Sequence, residues 1–171
     1  TLKNTIIGIA SETYSCAATP MQYAAVKAYE VSLETENYLA HQRRILNLAG
    51  NYVYEQLKKA GVNIYEPEGG FYLNPDFSSL KETLNSRGIT TSDELCASLL
   101  KDKSVALLPG SVFGYKKEQL TARLAYVDFN GVEALKASEE IGLETPLDHA
   151  FLEKWCPKVI EGADRIFEWL K

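Results

Sequence analysis

Residues 120–127, Leu-Thr-Ala-Arg-Leu-Ala-Tyr-Val, put Leu120, Ala122, Leu124 and Tyr126 on one side of an extended chain and Thr121, Arg123, Ala125 and Val127 on the other. A period of two over eight residues reads as a strand with one buried face. Just upstream, the apolar run 105–108 is stopped by Pro109-Gly110, a strong turn signal, so the two segments read as strand, turn and strand. Arg123 is the only charge in the second strand. A guanidinium among small and apolar neighbours is costly unless an anion meets it. Its planar fork suits a carboxylate, to which it donates two parallel hydrogen bonds. The residues leave two sources for that anion, an internal Asp or Glu or a bound ligand, and half-buried arginines are more often structural.

Helices are predicted around this unit. Thr19-Pro20-Met21-Gln22 combines capping-box spacing with a proline suited to a first turn, which predicts a short helix to about Tyr29. From about Glu34 to Ala60, Leu39, Leu46, Val53 and Ala60 recur every seven residues, with Tyr38, Ile45, Tyr52 and Leu57 widening the stripe and Gly61 placed as the C-terminal cap. Residues 62–65 and 71–73 read as paired short strands around Glu66-Pro67-Glu68-Gly69-Gly70, with Phe71 and Tyr72 expected in the core, the alternative being that the Gly-Gly pair lets this strand approach a ligand closely. Asp76 opens a helix to about Asn85, Thr91 and Glu94 form a capping box, and Asn130 opens a helix to about Ile141. After a linker at 142–146, residues 148–171 are amphipathic and are interrupted or restarted at Pro157. The expected fold class is α+β, sandwich-like, with a small mixed β-sheet packed with helices and preceded by a long helix.

Charge and composition exclude several function classes. A net charge of −5 argues against nucleic acid as a partner. The basic pairs Arg43-Arg44, Lys58-Lys59 and Lys116-Lys117 read as solvated faces. No apolar run approaches the ~20 residues of a membrane span. Three cysteines far apart, Cys16, Cys96 and Cys156, fit a reducing compartment. His41 and His149 lack the clustering of a metal site and read as surface or capping residues, so no metal is expected. Gly110-Ser111-Val112-Phe113-Gly114 misplaces its serine for a nucleophile elbow, and no P-loop or dinucleotide fingerprint occurs.

Taken together, Glu68-Gly69-Gly70-Phe71-Tyr72-Leu73-Asn74-Pro75-Asp76-Phe77, the turn Leu107-Leu108-Pro109-Gly110-Ser111-Val112-Phe113-Gly114 and the Arg123 strand resemble the C-terminal portion of class I/II (fold type I) pyridoxal-phosphate-dependent aminotransferases. Ser11-Glu12-Thr13-Tyr14-Ser15-Cys16 and Thr19-Pro20-Met21-Gln22-Tyr23-Ala24-Ala25 extend the likeness upstream, so that it spans most of residues 8–141 in the family's order. The resemblance implies that residues 1–33 are a remnant of the large cofactor-binding domain. Residues 34–171 would then be the small domain, with the long linking helix and a C-terminal helical extension. It further implies a cytoplasmic homodimer that uses pyridoxal 5'-phosphate to move an amino group between an amino acid and a 2-oxo acid. Arg123 matches the arginine that grips the substrate α-carboxylate. Ser15 matches a residue that reaches across the dimer toward the partner's cofactor phosphate, with Cys16 where the family commonly has Asn.

The family's Ser-Lys segment, which carries the Schiff-base lysine, has no counterpart here, so the chain reads as a fragment whose catalytic lysine lies elsewhere and which is inactive alone. Ser11 stands where dicarboxylate-specific members carry a second arginine, which implies monocarboxylic or aromatic donors. The same residues would serve a same-fold carbon–sulfur lyase or an aminocyclopropane-carboxylate synthase. They would also serve an aminotransferase-like ligand-sensing domain of a transcription regulator.

Overall fold

A computed structural model describes residues 2–14 and 16–171. The chain divides into two compact units, Thr1–Tyr38 and Leu39–Lys171. The first holds helices α1 (Leu2–Thr13) and α2 (Thr19–Ala28), neither of which buries a side chain. Helix α1 was not expected from the sequence. The capping box expected at Thr19 does not form, because the helix begins one residue earlier: Ala18 is the N-cap, and the Gln22 side chain donates to the Ala17 carbonyl at 2.7 Å. Proline still occupies the first turn, where its missing N–H costs nothing.

Helix α3 (Leu33–Lys59) is long, as its periodicity required, but its buried row steps by four residues through His41, Ile45, Ala49, Val53 and Leu57. Leu39 and Leu46, expected at the centre of the stripe, are half-buried at its margin. Each four-residue step advances about 40° around the helix, so the buried row winds along an incline and presents successive side chains to different parts of a broad core. Gly61, at φ +84°, ends the helix in the left-handed region that favours glycine.

The second unit is α+β. Its sheet has the order β1-β3-β2, with β1 at Tyr72–Leu73, β2 at Leu108–Pro109 and β3 at Ala122–Ala125. Both pairings are antiparallel, which narrows the expected mixed sheet to an antiparallel one. The hairpin expected between 62–65 and 71–73 gives way to a pairing of β1 with β3. That pairing places Leu73 beside Leu124, both buried, while Asn63 exchanges two backbone hydrogen bonds with Asp76 at 2.8 and 3.0 Å. The alternation in 120–127 is realised in full: Leu120, Ala122, Leu124 and Tyr126 are buried and their intervening neighbours are not.

Around the sheet, Phe77, Leu57, Leu84, Leu95, Leu99, Leu120, Leu152 and Ile166 form the deepest part of the core. Asp76 caps a short 3₁₀ turn that continues into α4 (Lys81–Ser86), and α5 (Ser92–Lys103) carries the capping box expected at Thr91. The Thr91 hydroxyl accepts from the Glu94 N–H at 3.2 Å, while the Glu94 carboxylate accepts from the Thr90 and Thr91 N–H groups. Those donors hold the Glu94 carboxyl below its ordinary pKa. Thr91→Ala is expected to lower unfolding stability by about 1 kcal/mol, measured by urea denaturation; an unchanged midpoint would show the cap to be energetically idle.

Helices α6 (Gly131–Ile141), α7 (His149–Trp155) and α8 (Pro157–Leu170) complete the unit. The last is fastened to α3 by Tyr52 Oη donating to Asp164 at 2.8 Å, and to α5 by Trp169 Nε1 donating to Asp102 at 3.0 Å. His41 is not a surface residue: it is buried, with Nδ1 2.8 Å from Ser138 Oγ, and it joins α3 to α6. His149 is exposed and stacks on Tyr52. Burial pushes the thiols of Cys96 and Cys156 up to about 11, so both stay protonated near neutral pH. No helix among the described residues is long and apolar enough to cross a membrane.

Candidate functional site

Arg123 sits on the central strand of the sheet, directly opposite Leu108 of β2. Tyr72 of β1 lies opposite Ala125, two residues along β3. Paired residues in an antiparallel ladder share a face, so Leu108, Arg123, Ala125 and Tyr72 all lie on the side of the sheet away from Leu120 and Leu124. Leu108 and Tyr72 are both exposed there. Phe71 is exposed as well, so the core placement expected for this aromatic pair does not hold. Register decides the matter: β1 contributes Leu73 to the core and turns Tyr72 outward.

The Pro109-Gly110 turn builds the other flank. Gly110 N–H donates to the Thr121 carbonyl at 2.8 Å, and a 3₁₀ turn over Gly110–Phe113 ends at Gly114, whose φ of +88° again suits glycine. A Cβ on Gly110 would lie 2.0 Å from Thr121 Oγ1, so the turn can close against β3 only because this residue has no side chain. Ser111 Oγ donates to Asp93 Oδ2 at 2.9 Å and ties the turn to the first turn of α5. Folded back in this way, the turn sets the Phe113 ring 4.2 Å from Arg123 Cζ, while the Tyr72 ring stands 4.5 Å from the same atom. Phe113 belongs to the Pro-Gly motif read in the sequence, which by itself gives it no role in the site.

None of the ion pairs among the described residues includes Arg123, and its Nε is buried without a hydrogen-bond partner. The internal carboxylate favoured by the residues alone is therefore not made. A half-buried cation without a counter-ion is a grip for an anion from outside, and its fork matches a carboxylate.

On the opposite face, Tyr126 donates from its hydroxyl to the Gly70 carbonyl at 3.1 Å, and its ring lies so close to α3 that a Cβ on Gly50 would meet it at 2.9 Å. Burial raises the pKa of that hydroxyl. Gly70, at φ +69°, is thus drawn to a core tyrosine that anchors the start of β1.

Ser15 lies outside the described residues, Cys16 is exposed, and Ser11 is exposed on α1. Every lysine is exposed except Lys103, which is half-buried and paired with Glu168 at 3.1 Å. These side chains do not make a pyridoxal phosphate site, since the lysine amines are exposed apart from that of Lys103, which is taken up by Glu168. Among the described residues no group of three or more His, Cys, Asp or Glu is placed to hold a metal ion.

Residues 1–135 match the family described as aminotransferase class I and II. The chain belongs to that family. Aspartate aminotransferase of Thermotoga maritima is 41% identical over 105 residues, which are 61% of this chain and 23% of that enzyme. Aspartate aminotransferase of Bacillus sp. strain YM-2 is 32% identical over 72% of this chain and 29% of its own length. The chain thus spans about a quarter to a third of the length of these curated relatives.

A solved structure of the Thermotoga maritima aspartate aminotransferase covers 95% of this chain, with 31% of its own length aligned, at 29% identity and a TM-score of 0.50. The aromatic aminotransferase of Pyrococcus horikoshii superposes with a TM-score of 0.60 over 96% of this chain and 34% of its own, at 24% identity, a likeness of fold. Family and α+β architecture therefore agree with the resemblance read from the sequence.

Proposed function

We propose that this chain is the carboxylate-gripping portion of a pyridoxal-phosphate-dependent aminotransferase that moves an amino group between an amino acid and a 2-oxo acid. The observation that carries the reading is Arg123, a half-buried guanidinium on the central strand with no internal counter-ion. Its task is alignment. Two parallel hydrogen bonds to the α-carboxylate fix the orientation of the substrate's Cα, and orienting a reacting bond lowers a barrier without any proton passing through the arginine. In the whole enzyme the cofactor would supply the electron sink for chemistry at that carbon.

We assign residues 1–33 to the large, cofactor-binding domain of the whole enzyme, where Ser15 would meet the cofactor phosphate of a second copy across a homodimer. Residues 34–171 are assigned to the small domain. Free cysteines suit a cytoplasmic setting.

The chain alone is expected to be inactive. After incubation with pyridoxal phosphate and reduction with borohydride, peptide mapping should show scattered surface labelling, because all but one of its lysines are exposed and the half-buried Lys103 is paired with Glu168. Stoichiometric labelling of one defined lysine would sink this expectation.

The donor is tested on the whole enzyme. The relatives' names favour aspartate, whereas Ser11 supplies no cation and the exposed surface beside Arg123 is apolar at Leu108, Tyr72 and Phe113. A side-chain carboxylate desolvated without a cation costs on the order of a few kcal/mol. Phenylalanine and alanine are therefore expected to exceed aspartate in kcat/KM; a clear preference for aspartate refutes the donor assignment, and no turnover of any amino acid refutes the transaminase reading.

A further inference from the structure

An arginine held by an internal carboxylate is neutralised by it, whereas Arg123 is held in another way. Tyr72 comes from β1 and Phe113 from the turn that follows β2, so one ring reaches the guanidinium from each side of the central strand, with centroids 4.5 and 4.2 Å from Cζ. Aromatic faces attract a cation through their quadrupole but carry no net charge to cancel it. Nε is buried without a partner, and none of the ion pairs among the described residues takes the guanidinium. Both rings remain about two-fifths exposed, at 43% each, and they frame the approach to the arginine without closing it. Both backbones are tied to neighbouring elements, that of Tyr72 by the pairing of β1 with β3 and that of Phe113 by the Gly110 hydrogen bond and the Ser111–Asp93 tie.

We propose that Tyr72 and Phe113 are positioning residues, an aromatic clamp that fixes the Arg123 side chain while leaving its positive charge free for a substrate carboxylate. The proposal rests on reading Arg123 as the carboxylate grip. The clamp also explains how the fold tolerates a counter-ion-free guanidinium: the attraction of the two rings offsets part of its desolvation. Replacing the clamp with an acidic residue would hold the arginine equally well and destroy its use, because the internal carboxylate would occupy the fork.

The test reads the arginine and its ligand separately. In the ¹H–¹⁵N spectrum of the protein, the Arg123 Nε–H signal, identified by its loss in Arg123→Gln, should lie upfield of the other arginines through ring-current shielding. Combining Tyr72→Leu with Phe113→Leu should abolish that displacement, and the aromatic swaps Tyr72→Phe and Phe113→Tyr should retain it. Titration with propionate and with the isosteric, uncharged propionamide then measures the preference for a carboxylate. That preference should fall about tenfold in the double leucine variant, two cation–π contacts of ordinary strength being worth about that factor. In the aromatic swaps it should stay within about twofold, a difference well under 1 kcal/mol.

If Arg123→Gln leaves the preference unchanged, the reading of Arg123 itself fails. If Arg123→Gln abolishes it while the folded double leucine variant keeps it, Arg123 grips carboxylates and the clamp alone is overturned. Should the double variant lose its dispersed amide spectrum, Phe113→Leu decides: a fall of about threefold upholds the clamp and an unchanged preference overturns it.

Discussion

Replacing Arg123 with lysine in the whole enzyme should lower kcat/KM for α-amino acids by about thirtyfold to several thousandfold and leave the fold intact. Lysine keeps the charge but loses the planar fork, so one of two parallel hydrogen bonds to the carboxylate goes and the substrate is no longer held in a single orientation. Disrupting a buried, charge-assisted pair is worth roughly 2–5 kcal/mol, which sets the expected range. Simple amines without a carboxylate do not use the grip and should react as before. Stability should change little, because Arg123 forms none of the ion pairs among the described residues. A variant that melts many degrees lower yet turns over amino acids normally would mark the residue as structural and the site assignment as wrong.

Gly110→Ala should destabilise the second unit by about 1–3 kcal/mol, the usual cost of forcing atoms into filled space. The added methyl would fall 2.0 Å from Thr121 Oγ1 and 3.1 Å from the Thr121 carbonyl oxygen, and the second of these is backbone that can move only by opening the turn. Thr121 Oγ1 is buried without a hydrogen-bond partner, so its removal forfeits little. The double variant Gly110→Ala with Thr121→Ala should therefore regain part of the loss, giving a coupling of the sign expected for neighbours sharing one space. Urea denaturation of the four proteins in the cycle measures this coupling. Strict additivity would mean that the close approach is absent in solution. Because the same turn carries Phe113, an opened turn should also weaken carboxylate binding.

How far the sequence reaches differs from element to element. Helix α3, the caps at Asp76, Thr91 and Asn130, the break at Pro157 and the burial pattern of 120–127 could all be read from the sequence. Each depends on residues within a few positions of one another. The misreadings have a common origin in choices among equivalent local options. Thr19 and Ala18 are both able to start α2, and residues 71–73 could pair with 62–65 or with β3. His41 looks like any polar residue on a helix until Ser138, 97 residues away, arrives beside it.

Arg123 shows the division most clearly. By itself the sequence determined that a lone cation would stand on the unburied face of a strand beyond a Pro-Gly turn, because side-chain alternation and turn chemistry are local properties of the chain. It also determined the family, since motifs in a fixed order survive where overall identity is low. Whether that cation would meet an internal carboxylate could not be decided locally, because the electrostatic fate of a charge depends on every group brought within a few ångströms by packing. Tertiary structure alone supplied Tyr72 from one neighbouring strand and Phe113 from the turn beyond the other, with no acid between them. It thereby left the guanidinium charge uncompensated by any internal carboxylate.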